Sequence, residues 1–270
     1  MKNTNNKAQI VYVSHGGGPL PILGDSSHNE MVKFMKELPS KLTKPDAILV
    51  ISAHWEENIV TIQGGKRPEM MYDYYGFPEE AYKINYPSMG SQMYAGKIVD
   101  ILARHGIESN IDNGRGYDHG HFIPLMLMYP KADIPSLQIS LLHNLDANDH
   151  IKLGKAMSEL MRENILVIGS GSSFHNMSSF NFSENRQDSL NDAFQDYLVE
   201  TCTNDLPQEE RENRLIEWES APNARYCHPR QEHLLPLHVC MGMAGDKAKL
   251  IFDDYVAGKR VVAFLWGMVK

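Results

Sequence analysis

Short runs of β-branched and other apolar residues alternate along the chain with longer stretches in which apolar residues recur at helical spacing. The runs predict strands at residues 9–13, 47–52, 59–63, 134–141, 165–168 and 260–266. The longer stretches predict helices at residues 29–42, 91–105, 149–164, 190–203 and 232–243. Parallel strands need crossover connections of about a dozen residues or more, and these helices supply that length. The alternation therefore predicts an α/β fold with a central, largely parallel or mixed sheet flanked by helices.

The 270 residues are enough for one large core, and no internal repeat or low-complexity linker divides them. Residues 1–7 are polar and rich in Asn and Lys, so we expect a disordered tail there and a single domain over residues 8–270. Residues 205–223 are the most charged segment, and we expect a solvated helical face in that region.

Charge and hydropathy argue against two classes of partner. The formal net charge is -8 and the basic residues form no stripe, so we expect no nucleic-acid partner. No apolar run approaches the roughly 20 residues of a membrane span, and no apolar stretch follows the N-terminus, so we expect a cytoplasmic protein. The three cysteines lack CxxC spacing, which favours free thiols.

Histidines follow three of the predicted strands. His15, His54 and His175 come after the first, second and fifth of them, each on the carboxyl side. Functional crevices of open parallel sheets lie outside the carboxyl ends of the strands, so the three side chains can share one cleft. Imidazole is the commonest transition-metal ligand in proteins. We therefore predict a metal site at this end of the sheet.

Two further polar clusters are candidates for the same cleft. His119 lies in a glycine-flanked loop beside Asp118, an arrangement that suits proton handling or substrate binding, whereas His121 fits a buried core position. Glu232 and His233 stand at the predicted start of an amphipathic helix, where one of them can complete a coordination sphere.

The glycine-rich loop at residues 14–19 raises two other hypotheses, which the rest of the sequence does not support. Its spacing matches neither common nucleotide-binding pattern. An oxyanion loop of this kind would require a Gly-x-Ser-x-Gly nucleophile, and residues 169–173 do not fit that pattern.

Five segments carry a resemblance to a known family. They are Ser14-His15-Gly16-Gly17-Gly18-Pro19, Ile51-Ser52-Ala53-His54-Trp55-Glu56, Tyr117-Asp118-His119-Gly120, Ser173-Phe174-His175-Asn176 and Glu232-His233-Leu234-Leu235-Pro236-Leu237. In this order, over nearly the whole chain, they resemble the class III extradiol ring-cleavage dioxygenases, most closely the 4,5-DOPA extradiol dioxygenase-like branch.

The resemblance implies one mononuclear divalent metal, Fe(II) or Zn(II), at the carboxyl ends of the strands. It implies that His15, His54 and His233 are the ligands, with Glu232 as the competitor of His233 for the third position. It gives His175 the role of the acid/base histidine, or that of a fourth ligand. The spacing of the ligands does not choose between the two metals.

The resemblance also implies that Asp118 and His119 face the substrate, with His119 catalytic as well. The expected reaction cleaves the ring of a catechol such as DOPA with O2 and yields a semialdehyde. The alternatives are a zinc hydrolase and a metal-binding or partner-binding protein on the same fold. Arg225 and Arg230 could pair with a substrate carboxylate, although surface salt bridges are the expected use.

Overall fold

The computed structural model describes residues 8–180 and 187–267, so the tail predicted at residues 1–7 lies outside the described residues. The strands are β1 (Gln9–Ser14), β2 (Ala47–Glu57), β3 (Val60–Gln63), β4 (Ser109–Asp112), β5 (Ser136–Leu142), β6 (Ile165–Gly171), β7 (Lys249–Val256) and β8 (Lys259–Trp266). They form one sheet in the order β4-β3-β5-β2-β6-β1-β8-β7. The central four, β5, β2, β6 and β1, are parallel, and β8 and β7 continue the sheet antiparallel. The predicted mixed α/β sheet is confirmed.

Helices connect these strands and cover the sheet. They are α1 (Leu20–Leu23), α2 (Asn29–Lys41), α3 (Gln92–Arg104), α4 (His119–Met128), α5 (Ala147–Met157), α6 (Ser189–Thr203), α7 (Gln208–Ile216), α8 (Ala224–Cys227) and α9 (Leu235–Ala244). α4 and α9 are apolar on nearly all sides because each is buried between the sheet and other helices. No helix in residues 8–180 and 187–267 combines the length and the apolar character needed to cross a bilayer.

The carboxyl end of β6 shows that helices lie on both faces of the sheet. A Cβ added at Gly169 would meet Cys240 of α9, and one added at Gly171 would meet the backbone of His233, just before α9. Ser170, between the two glycines, instead donates its hydroxyl proton to the carbonyl of Gly120 in α4. Alternate residues of a strand point to opposite faces, so α4 and α9 cover opposite sides of the same strand.

Two parts of the chain near the histidines differ from the prediction. β2 continues to Glu57 with irregular pairing to β5 after Ile51, so His54 lies within the strand instead of after it. α9 begins at Leu235, three residues later than predicted, and it is not amphipathic. Glu232 and His233 therefore lie in the turn that leads into a fully buried helix.

The charged segment at residues 205–223 is only partly solvated. It forms α7, which packs against α5 and α9 and buries Arg211, Glu212 and Leu215. Arg211 donates to the carbonyl of Asn204, and Glu212 pairs with Lys155 of α5. Because these charged side chains have partners, they can be buried, although the many glutamates of the segment predicted a solvated face.

Gly171 offers a test of the close approach between β6 and the turn before α9. An added Cβ would lie 2.1 Å from the carbonyl oxygen of His233, a backbone atom that cannot move aside cheaply. We expect Gly171→Ala to lower the free energy of unfolding by about 1–3 kcal/mol. The control is Gly96→Ala in α3, where an added Cβ meets nothing within 4 Å and should stabilise the helix by about 0.5–1 kcal/mol. Urea denaturation measures both; equal midpoints for Gly171→Ala and the wild type would contradict the prediction.

Candidate metal centre

Three imidazoles from separate segments of the chain converge at the carboxyl end of the sheet. His15 follows β1, His54 lies in β2, and His233 lies in the turn before α9. The Nε2 atoms of His15 and His54 are 3.0 Å apart, and one nitrogen from each of the three rings lies within 4.8 Å of the others. Two donors at about 2.1 Å from one metal and at a right angle would be separated by about 3.0 Å. The donor set therefore fits one divalent first-row metal ion.

The Nδ1 atom of each ring has an oxygen partner on the side away from the cluster. His15 Nδ1 lies 2.9 Å from Ser170 Oγ, which accepts because its own proton goes to a carbonyl. His233 Nδ1 lies 2.9 Å from a carboxylate oxygen of Glu232, and His54 Nδ1 lies 3.5 Å from one of Asp73. A proton held on Nδ1 leaves the Nε2 lone pair free to bind a metal.

Burial sets the protonation state of these rings. It lowers the pKa of His15, His54 and His233 well below the usual histidine value, and the neighbouring histidines lower it further. Neutral imidazole is the form that binds metals, so the rings need not lose a proton near neutral pH.

Glu232 lies behind the ring of His233. The same Oε1 atom is 2.9 Å from His233 Nδ1 and 3.2 Å from His175 Nδ1, so one carboxylate orients two imidazoles. Burial alone would raise the pKa of Glu232, but the hydrogen bond from His175, a backbone hydrogen bond and the nearby charge of Arg230 together lower it. This position suits an acceptor that supports a ligand, and it favours His233 over Glu232 for the metal.

His175 stacks on His233, with ring centroids 3.4 Å apart and planes tilted by 15°. Its loop follows β6 and is anchored where its backbone N–H donates to the carbonyl of Cys227 and the side chain of Asn176 donates to that of Tyr226. With Nδ1 directed to the carboxylate of Glu232, the free Nε2 of His175 is available as a proton acceptor.

His119 begins α4 and closes the other side of the cluster. Its ring centroid is 3.9 Å from that of His54. Both its backbone N–H and its Nδ1 contact one oxygen of Asp73, at 3.0 and 2.8 Å. Burial would raise the pKa of Asp73, but the hydrogen bonds from His119 and the electrostatic interactions with His119 and His54 together lower it to about 2. Asp73 is therefore ionised and holds the rings of both His54 and His119.

Asp118, which was expected on the substrate side, is fully buried behind the cluster and does not line the cavity. Its carboxylate accepts from Ser52, Gln138 and Arg115 at 2.7, 2.7 and 2.9 Å, and it also caps the N-terminus of α4. Burial and then the charge of Asp73 raise the pKa of Asp118. These contacts place Asp118 behind His119, where it holds the start of α4 and does not form part of the cavity wall.

The histidines form one pole of a cavity of about 530 Å³, within the usual range of roughly 300–1,000 Å³ for small-ligand sites. The glycine loop after β1 forms a second wall, in which Gly16 and Gly18 have φ of 80° and 53°. His28 holds this loop: its Nε2 accepts from the backbone N–H of Gly17 at 3.1 Å, and its Nδ1 contacts Asp25 at 3.0 Å.

The sequence reasoning missed Asp73, Ser170 and His28. Asp73 stands alone as an acid in an aromatic stretch, and Ser170 is a polar residue at the carboxyl end of an otherwise apolar strand. Either feature could have marked these residues as candidates. The partners of Asp73 and Ser170 are distant in sequence, so the fold is needed to show which rings these two residues contact.

A histidine cluster at the carboxyl ends of the parallel strands of an α/β sheet is the arrangement expected of a metal-dependent enzyme. Residues 10–262 match the family described as the catalytic LigB subunit of aromatic ring-opening dioxygenase. The chain belongs to this family, and the resemblance inferred from the five motifs is confirmed. At the level of the family, it is a metal-dependent aromatic ring-opening dioxygenase.

Similar proteins cover almost the whole chain. The "4,5-DOPA dioxygenase extradiol" of Beta vulgaris is 38% identical over 263 residues, which is 96% of each chain. The "Dioxygenase tasH" of Hapsidospora irregularis is 36% identical over 279 residues, covering 96% of this chain and 86% of that one. A crystal structure of an uncharacterized protein from Escherichia coli K12 has a TM-score of 0.77 at 24% identity, covers 97% and 100% of the two chains, and shows the same fold.

Metal content tests the ligand set. We expect His15→Ala, His54→Ala and His233→Ala to bind far less than one metal ion per chain, because each removes one of three donors. Glu232→Gln should keep a full equivalent with affinity about 10–100-fold weaker, since it perturbs only the support of a ligand. The control is His105→Ala, an exposed histidine paired with Glu159. Elemental analysis after metal loading measures the content; a metal-free Glu232→Gln beside a fully loaded His233→Ala would make Glu232 the ligand.

Proposed function

We propose that the protein is an extradiol dioxygenase that cleaves a catechol with O2 to a semialdehyde. The observation that carries the proposal is the neutral histidine set, with His175 and His119 at the edge of the same cavity. Membership of the ring-opening dioxygenase family supports it independently. DOPA is one candidate substrate, because several similar proteins are named for it. A cytoplasmic location remains a prediction from the sequence.

His15, His54 and His233 would hold one Fe(II) or Zn(II) ion, and Fe(II) is the metal suited to reaction with O2. When bound, the metal would acidify the catechol hydroxyls and bring substrate and O2 together. Three neutral ligands contribute no negative charge, so the site favours an anionic catecholate. The role of the chain is therefore to hold these rings neutral and to leave the cavity side of the site open.

In the proposed reaction His175 would act as the general base. Glu232 holds its Nδ1, so Nε2 can take the proton of the second catechol hydroxyl and later return a proton to the product side. Stacking on His233 fixes the plane of the ring beside a ligand. His119 is placed on the opposite side, where Asp73 fixes its Nδ1 and its other nitrogen can donate a hydrogen bond or accept one.

The role of His175 has its own test. We expect His175→Ala to lower kcat by about 10²–10⁴-fold while the metal content stays near one equivalent, because a base is lost and the three ligands remain. The measurement pairs oxygen uptake with elemental analysis of the same preparation. Loss of the metal together with the activity would instead make His175 a fourth ligand.

The reaction itself is tested by loading the purified protein anaerobically with Fe(II) and then measuring O2 consumption with a small panel of catechols. We expect one O2 per catechol and the yellow absorbance of a ring-opened semialdehyde. A parallel Zn(II)-loaded sample should consume no O2. If the iron form consumes none with any catechol while the zinc form hydrolyses model esters, the zinc hydrolase hypothesis replaces this one.

A further inference from the structure

The cavity has two poles of opposite character. The histidines form the inner pole, and the outer walls are built from apolar side chains, among them Phe77, Phe174, Phe180, Val256 and Val261. None of the lining residues in the described part of the chain is Lys, Arg, Asp or Glu. A catechol seated with its hydroxyls at the inner pole would place its ring substituent against the outer walls.

The hydroxyl of one wall residue, Tyr74, is turned away from the cavity. The hydroxyl of Tyr74 donates to the carbonyl of Ala81 at 2.6 Å, so Tyr74 contributes its ring to the cavity wall and not its hydroxyl. The backbone of Ala257 contributes a tight turn between β7 and β8, in which Ala257 and Gly258 both have positive φ.

Basic side chains on the surrounding elements are already paired with carboxylates. Arg115 contacts Asp118 at 2.9 Å, Arg230 contacts both oxygens of Glu56 at 2.6 Å, and Lys259 pairs with Asp188 behind Phe174. The expectation that Arg230 is used in a salt bridge is confirmed, as it is for Arg225, which pairs with Glu219. None of these cations lines the cavity.

Two of the large apolar side chains at the cavity are strongly exposed. Tyr75 is 91% exposed and Met177 is 73% exposed, the highest values among the large apolar residues of the described ranges. Both line the cavity: Tyr75 lies in the segment after β3, and Met177 lies in the loop after β6. Exposed apolar groups that flank a pocket are typical of sites that bury an apolar ligand.

We propose that the substrate is a catechol whose ring substituent is apolar and uncharged, in preference to an amino acid or carboxylic acid such as DOPA. The proposal rests on the proposed function, because the catechol hydroxyls orient the substituent. A zwitterionic side chain would lose its hydration in these walls, and none of the described residues that line them offers it a carboxylate, an ammonium or a guanidinium group. An alkyl substituent of equal length would instead gain from burial against Phe77 and Phe174.

The test compares four catechols that differ only in the substituent: 4-propylcatechol, dopamine, dihydrocaffeic acid and DOPA. Dissociation constants are measured by anaerobic calorimetry on the metal-loaded protein, so binding is read without turnover. We expect 4-propylcatechol to bind at least about tenfold more tightly than dopamine, dihydrocaffeic acid or DOPA, each of which carries a charge. Equal or tighter binding of DOPA would overturn the proposal.

A charge introduced at the mouth of the cavity tests the location of the substituent. Met177→Arg should reduce the preference for 4-propylcatechol over dihydrocaffeic acid by roughly threefold, because the new cation can pair with the carboxylate at an exposed position. Met93→Arg is the matched control: Met93 is 70% exposed but lies on α3 and does not line the cavity. An equal shift in the two variants would reflect net charge alone and would contradict the proposed orientation.

The two proposals fail in different ways. If the four catechols bind in the expected order but none consumes O2, the ring-cleavage function is wrong and the apolar preference stands. If all four consume O2 and DOPA binds most tightly, ring cleavage stands and the apolar preference is wrong.

Discussion

The structure depends on keeping several buried imidazoles neutral in one place. Side by side, protonated rings at the carboxyl end of the sheet would repel one another and lack hydration. Burial instead keeps His15, His54 and His233 neutral. Each ring near the metal position directs Nδ1 to an oxygen that fixes its orientation: Ser170 for His15, Asp73 for His54 and His119, and Glu232 for His233 and His175. The oxygens come from β6, from the segment after β3 and from the turn before α9, so the site exists only when the sheet is assembled.

The two carboxylates also explain why the cluster is not simply a pair of alternative metal sites. Asp73 and Glu232 each belong to a group of three potential ligands that includes a central histidine. Both are engaged at Nδ1 atoms, on the far side of the rings from the shared centre. With the three histidines as ligands, the two carboxylates would increase the electron density of the imidazoles from outside the coordination sphere, and their negative charge would balance that of the metal.

The sequence pattern predicted those site residues whose positions follow from the strand directly before them. His15, His54 and His175 follow apolar runs whose period and length identify strands, and the parallel arrangement places their ends together. His233 required the family resemblance, because nothing in its own segment shows that it approaches Gly171. Asp73 and Ser170 act on rings 46 and 155 residues away in sequence, respectively, and such contacts are set by strand order.

The same distinction between local patterns and contacts distant in sequence explains where the prediction of the fold was wrong. In β7 two consecutive aspartates, Asp253 and Asp254, interrupt the apolar residues, and the strand forms where the Ala257-Gly258 turn pairs it with β8. α7 looked solvated because the partners that allow burial lie outside it: Lys155 of α5 pairs with Glu212, and the carbonyl of Asn204 accepts from Arg211. His121, in contrast, was correctly expected in the core, since its apolar neighbours surround it within α4 itself.

One short segment connects the metal shell with the wall that faces the substituent. Asp73 orients two histidines, while Tyr74, Tyr75 and Phe77 immediately after it contribute to the outer cavity. The loop after β6 repeats the arrangement, with His175 at the inner pole and Met177 at the mouth. In both segments, side chains two residues apart contribute to the two poles of the cavity. A substitution that alters the outer wall in either segment can therefore shift backbone that also positions a histidine. Exposed positions such as Met177 are therefore the sites at which specificity can change with the least disturbance of the proton-transfer geometry.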